Sequence, residues 1–134
     1  MEDNAIITVL ISVLSSSLIT LLLSAYIIEP MKEKRTYIFD EKKRAYTSIV
    51  TFAQIVLFPD EAKYSLGVKR YDIQQLSTEE SMRNAVNDIK MMLPYLKLIT
   101  KNKEVIRKTC IFIEQKDERS FNELVGILQK DLYK

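Results

Sequence analysis

The longest apolar pattern in the chain runs from Ala5 to Ile28, where fourteen of twenty-four positions are Ile, Leu or Val and no charge falls between Asp3 and Glu29. At about 1.5 Å of rise per residue, a helix over this run is about 36 Å long, enough to cross a hydrocarbon layer of roughly 30 Å with some tilt. The pattern therefore predicts one transmembrane helix. After it the chain becomes a charged stretch, Glu29 to Arg44, interrupted by Tyr37-Ile38-Phe39. From Ala45 onward the apolar density rises and the spacing changes again.

In that third region Ala45, Tyr46, Ile49, Phe52, Ala53, Val56 and Leu57 recur three and four apart, the period of a helix with one buried face. Phe58-Pro59-Asp60 marks a turn, and residues 60–76 fit neither a helical nor a strand period, so a short helix followed by a loop through Gly67 is expected there. Ser77-Thr78-Glu79-Glu80 has the form of a capping box, in which the Ser77 hydroxyl accepts from the Glu80 amide and the Glu80 carboxylate returns to the Ser77 amide. A helix should start at Thr78 and bury Met82, Ala85, Val86, Ile89, Met92, Leu93 and Leu96, with Pro94 kinking or ending it near Leu93. Asn102 suits an N-cap for a helix burying Val105, Ile106, Thr109, Phe112 and Ile113. Ser120-Phe121-Asn122-Glu123 repeats the capping-box form ahead of a last helix with Phe121, Leu124, Val125, Leu128 and Leu132 on one face.

Two glycines and three prolines are the only strong breakers in 134 residues, which leaves long stretches for helices. Pro30 disfavours helical geometry at Glu29, so the span should meet the next helix at a kink there. The expected fold is all-α, a single N-terminal transmembrane helix followed by a small cytoplasmic antiparallel helical bundle. Its parts are a short non-cytoplasmic tip at 1–4, the span at 5–28, a charged juxtamembrane stalk at 29–44 and a helical domain at 45–134.

Charge sets the orientation. Lys32, Lys34, Arg35, Lys42, Lys43 and Arg44 follow the span within sixteen residues and no basic residue precedes it, so the positive-inside rule places the carboxyl side in the cytoplasm of a single-pass cell-membrane protein and the amino terminus outside. A cleaved secretory signal fits poorly, because the first residues are acidic, the apolar run exceeds twenty residues, and the best cleavage point, Leu23-Ser24-Ala25, puts a large residue where a small one is needed. The single cysteine, Cys110, and the absence of an Asn-x-Ser/Thr acceptor agree with a reducing compartment. Cys110 reads as a small buried hydrophobe, since no histidine exists to activate it.

A net charge of +2 gives no global field to draw nucleic acid, which is not an expected partner. No His, no Gly-rich phosphate loop, no Cys pair and no nucleophile motif point to catalysis, so no enzyme activity and no cofactor or metal are expected. Glu79-Glu80 reads as helix capping, and Glu114, Asp117 and Glu118 as a solvated loop.

Three features remain that could carry binding. Thr8, Ser12, Ser16, Thr20 and Ser24 stand four apart, a ridge of small side chains that lets two membrane helices approach, although each hydroxyl can equally bond a carbonyl of its own helix. The six juxtamembrane cations could hold anionic lipid, with Glu29, Glu33, Asp40 and Glu41 interleaved against them. Lys101, Lys103, Arg107 and Lys108 form a second basic cluster, either a solvated face or a docking surface for an acidic partner. Together these predict a membrane-anchored interaction or regulatory domain whose partners are the lipid bilayer, a second copy through the span, or an unidentified cytoplasmic protein. The alternative is a holin- or toxin-like oligomer whose Ser/Thr stripe lines a pore; behind it stands an enzyme, which would have to rely on carboxylates.

Overall fold

A computed structural model of the chain describes residues 2–65 and 76–134, and every element among them is helical. Gly67, where a loop is expected, lies outside the described residues. The first helix, α1 (Glu2–Leu23), begins with Glu2 and Asp3 in its first turn, where carboxylates favour the positive end of the helix dipole. A π turn over Ser24–Ile28 follows, and α2 (Glu29–Leu57) continues from it. The junction expected at Pro30 takes the form of this turn. Pro30 has no amide hydrogen, and its ring would press on the carbonyl one turn back. In the turn just before it, the Glu29 N–H donates to the Ser24 carbonyl five residues earlier, which widens the backbone there. Among the described residues one helix is long and apolar enough to cross a membrane, near the N-terminus, and no residue of α1 is buried.

The chain divides into two compact units, one running through Ile38 and the other from Phe39 to Lys134. Phe39 to Arg44, assigned to the stalk on sequence, thus belong to the second unit. The reason lies in long-range contacts that local pattern does not reveal. The Phe39 ring packs at 6.2 Å from that of Tyr133, Tyr95 donates a hydrogen bond to Glu41, and Lys42 pairs with Asp131.

Within this second unit α3 (Pro59–Ser65), α4 (Thr78–Ile99), α5 (Lys103–Gln115) and α6 (Glu118–Leu132) complete the element order. Pro59 opens α3 at the first helical position, where its missing donor costs nothing. Ile49, Ala53, Ile89, Leu96, Val105, Phe112 and Leu124 are wholly buried in one core shared by α2, α4, α5 and α6. Tyr95 meets Glu41 near one end of the α2–α4 pair while Ser81 and Ala85 share a cavity with Phe52 and Ile55 near the other, so these helices run antiparallel. Helices α5 and α6 do the same, with the Phe112 and Phe121 rings 6.2 Å apart and Lys108 2.6 Å from Glu123.

The caps explain where the helices begin. Ser77 and Glu80 form the expected box at the start of α4, and the Asn102 side chain accepts the Glu104 amide at 3.0 Å to cap α5. At α6 the expectation is corrected. The N-cap is Asp117, whose Oδ1 accepts the Ser120 amide at 2.8 Å, so Ser120 is the third helical residue and is buried. The left-handed backbone of Lys116 (φ 51°) ends α5 one residue earlier and leaves no room for a longer loop. Of the two outcomes expected at Pro94, a kink or an end near Leu93, the end does not occur, because α4 continues through Pro94 to Ile99. Pro94 and Lys90, whose carbonyl it leaves without an amide donor, are both exposed residues, and buried Leu96 holds the last turn to the core. Cys110 is a half-buried free thiol rather than a fully buried one.

Among the described residues one buried polar side-chain atom lacks a hydrogen-bond partner. The Ser81 hydroxyl borders a small cavity of about 50 Å³ together with Asn84 and Asp88 and makes no hydrogen bond. Removing it breaks no protein contact. Ser81→Ala is therefore expected to leave the unfolding free energy unchanged or to raise it by up to about 1 kcal/mol, read as the urea midpoint at constant slope. A clear loss of stability would show that the hydroxyl is bonded in solution.

Candidate functional site

Among the described residues of the second unit, a concentration of uncompensated charge lies where α4 passes into α5. Helix α4 ends because Thr100 takes an extended conformation, and Asn102 restarts the chain as α5 two residues later. This short joint turns the last lysine of α4, Lys97, and the first residues around α5, Lys101 and Lys103, toward one surface recess of about 470 Å³. Arg107, one turn into α5, joins its wall, and Ile106 supplies an apolar patch. Lys97, Lys101 and Lys103 are exposed, and none has a carboxylate within ion-pair distance among the described residues.

Of the basic cluster singled out on sequence, the structure brings Lys101, Lys103 and Arg107 together and sends Lys108 elsewhere. Lys108 reaches α6 and pairs with Glu123 at 2.6 Å, a hydrogen bond that also holds the Glu123 carboxyl below its ordinary pKa. Arg107 clasps Glu104 at 2.9 and 2.5 Å through two nitrogens, and this bond lowers the Glu104 pKa. The recess therefore presents three free ammonium groups and one guanidinium already neutralised. Sequence spacing missed Lys97, although it stands four residues before Lys101, because the break at Thr100 separates them into different elements.

Thr100 ties this joint to the rest of the unit. Its hydroxyl donates to Asp131 Oδ2 at 2.9 Å, and the same oxygen accepts Tyr46 Oη at 2.5 Å and Lys42 Nζ at 3.0 Å. Asp131 is only 5 % exposed. Burial works against its carboxylate, yet the hydrogen bonds from Tyr46, Lys42 and Thr100 outweigh it and set its pKa below the usual carboxylate value. Burial, reinforced by the bond to Asp131, pushes the Tyr46 phenol above its ordinary value of 10.0. The network joins α2, the end of α4 and α6.

The other candidates lie in the region preceding or opening α2. In the ridge, Thr8 bonds the Asn4 carbonyl at 2.7 Å and Thr20 the Ser16 carbonyl at 2.9 Å. Thr8, Ser12, Ser16 and Thr20 are exposed and Ser24 is partly covered. Lys32, Lys34, Arg35, Lys43 and Arg44 are exposed, Arg44 pairing with Glu41 at 2.8 Å, and Lys42 is half-buried beside Asp131. No group of three or more potential metal ligands occurs among the described residues.

These features describe an all-helical chain with one long apolar N-terminal helix and a cored helical unit bearing a basic recess. No family model, no curated protein and no solved structure matches it.

Proposed function

We propose that the chain is a single-pass protein of the cell membrane, anchored through residues 5–28, whose helical unit lies in the cytoplasm as a small bundle and acts by binding, with no chemistry of its own. The observation that carries this reading is a contrast within one chain. Ile6, Val9, Leu10, Val13, Leu14 and Leu21 are each more than half exposed along α1, whereas Ile49, Ile89, Leu96 and Phe112 are closed to solvent. Water does not tolerate so long an apolar surface without association, and lipid does. The excess of Lys and Arg after the span supports a cytoplasmic location for the unit. The oligomeric-pore alternative rests on the hydroxyl ridge, two of whose members spend their donors on their own helix.

The test is fractionation of the full-length protein with a carboxyl-terminal tag. It is expected to stay in the membrane pellet after alkaline carbonate, with the tag resistant to protease on intact cells and digested in inside-out vesicles. Recovery in the soluble fraction without detergent, or digestion of the tag from outside, would overturn the reading.

A further inference from the structure

The basic recess lies at a particular end of the helical unit. Thr100, on its wall, is bonded to Asp131, which is paired with Lys42, and Tyr95 one turn earlier in α4 is bonded to Glu41. Glu41 and Lys42 stand two and three residues after Phe39, where the unit begins. The recess is thus at the end of the unit that receives the chain from the stalk. Ten residues, 29–38, separate that end from Ile28, and even fully extended they reach no further than about 40 Å. On the reading that residues 5–28 span the bilayer, this end stays within that distance of the headgroups.

We propose that the recess docks on the phosphate groups of anionic lipids in the cytoplasmic leaflet. The inference rests on the membrane-anchored reading given above. Among the described residues Lys97, Lys101 and Lys103 have no carboxylate within ion-pair distance, so an external anion has none to displace. The lining includes Ile106, and Leu98, which follows Lys97 on the last turn of α4, is 84 % exposed, so a surface that is charged outside and apolar beneath suits both kinds of side chain. Lys32, Lys34, Arg35 and Lys43 are also exposed and add to the same attraction. A soluble acidic peptide satisfies the charge alone, and it must be recruited from solution, whereas the leaflet is held at high effective concentration by the chain itself. Docking here fixes which face of the unit remains open to the cytoplasm.

The experiment uses the full-length protein in lipid nanodiscs, comparing pure phosphatidylcholine with discs containing roughly one-third phosphatidylglycerol. Acetylation rates are read by mass spectrometry at Lys97, Lys101 and Lys103, relative to exposed Lys116 at the opposite end of α5. Phosphatidylglycerol is expected to slow the three lysines by at least about threefold relative to Lys116, and about 1 M NaCl to remove the difference. Equal ratios in the two lipids would overturn the proposal. So would equal protection in phosphatidylcholine discs by inorganic phosphate or by polyglutamate, which would assign the recess to a free anion or an acidic protein. Protein that stays soluble and enters no disc would overturn the anchored reading itself, a result distinct from incorporation without protection.

Discussion

Phe112→Ala is expected to destabilise the helical unit by about 3–5 kcal/mol, the usual cost of emptying a fully buried aromatic site. Phe112 is the largest wholly buried side chain, with no exposed surface, and its ring packs on Phe121. Its loss removes transfer energy, the aromatic contact and the support it gives to the α5–α6 pair. Domains of this size hold about 5–15 kcal/mol in total, so the variant keeps only a fraction of its stability. Thermal melting followed by far-ultraviolet circular dichroism should show the transition moving down by on the order of 20 °C. A shift of a few degrees would mean that α5 and α6 do not share the core with α2 and α4.

Asp131→Ala is expected to cost about 2–4 kcal/mol, because it orphans three donors at once. Tyr46 and Thr100 are buried and cannot recruit water freely, while Lys42 keeps some solvent access, which holds the cost below that of a fully buried pair. The same cluster sets a pH window. The Asp131 pKa is lower in the folded chain than in the unfolded one, so its contribution is complete above the unfolded value near 4 and is lost as pH falls through the folded value. Tyr46 is shifted the other way. Its contribution is complete below about 10 and is lost as pH rises through its raised folded value. Urea midpoints measured across pH should fall at both limits in the native chain. Asp131→Asn should flatten the acid limb and Tyr46→Phe the alkaline one. Unchanged limbs in both variants would show that the network does not set the pH dependence.

The helices were legible where their signals are local. Ser77 with Glu80 and Asn102 with Glu104 declare their caps within three residues, and the stripes through Ile49, Ile89 and Leu124 follow from period alone. Signals that depend on distant partners were not legible. Asp131 sits between Lys130 and Leu132 like any solvated acid, and only its partners 85 and 31 residues away reveal a buried hub. The start of α6 was misplaced because Ser120 and Asp117 are both good caps, and the left-handed Lys116 decides between them. At Pro94 local sequence leaves a kink and an end both open, and the helix continues because buried Leu96 ties its last turn to the core. Of the basic cluster, residues 101–107 were legible as neighbours in the chain, whereas the membership of Lys97 and the departure of Lys108 toward Glu123 follow from how three helices meet.

The wide turn at Ser24–Ile28 leaves a signature in angular phase. Each residue of an α-helix advances about 100° around the axis, so one extra residue accommodated in the turn rotates every later side chain by about that amount relative to an unbroken helix. The cations Lys32, Lys34 and Arg35 are thereby turned about the axis relative to the hydroxyl stripe from Thr8 to Thr20, compared with an unbroken helix. A neighbouring helix gripping the stripe would then meet the cations from a rotated bearing, and trimming a single residue from this turn would re-phase the two faces without altering the composition of either.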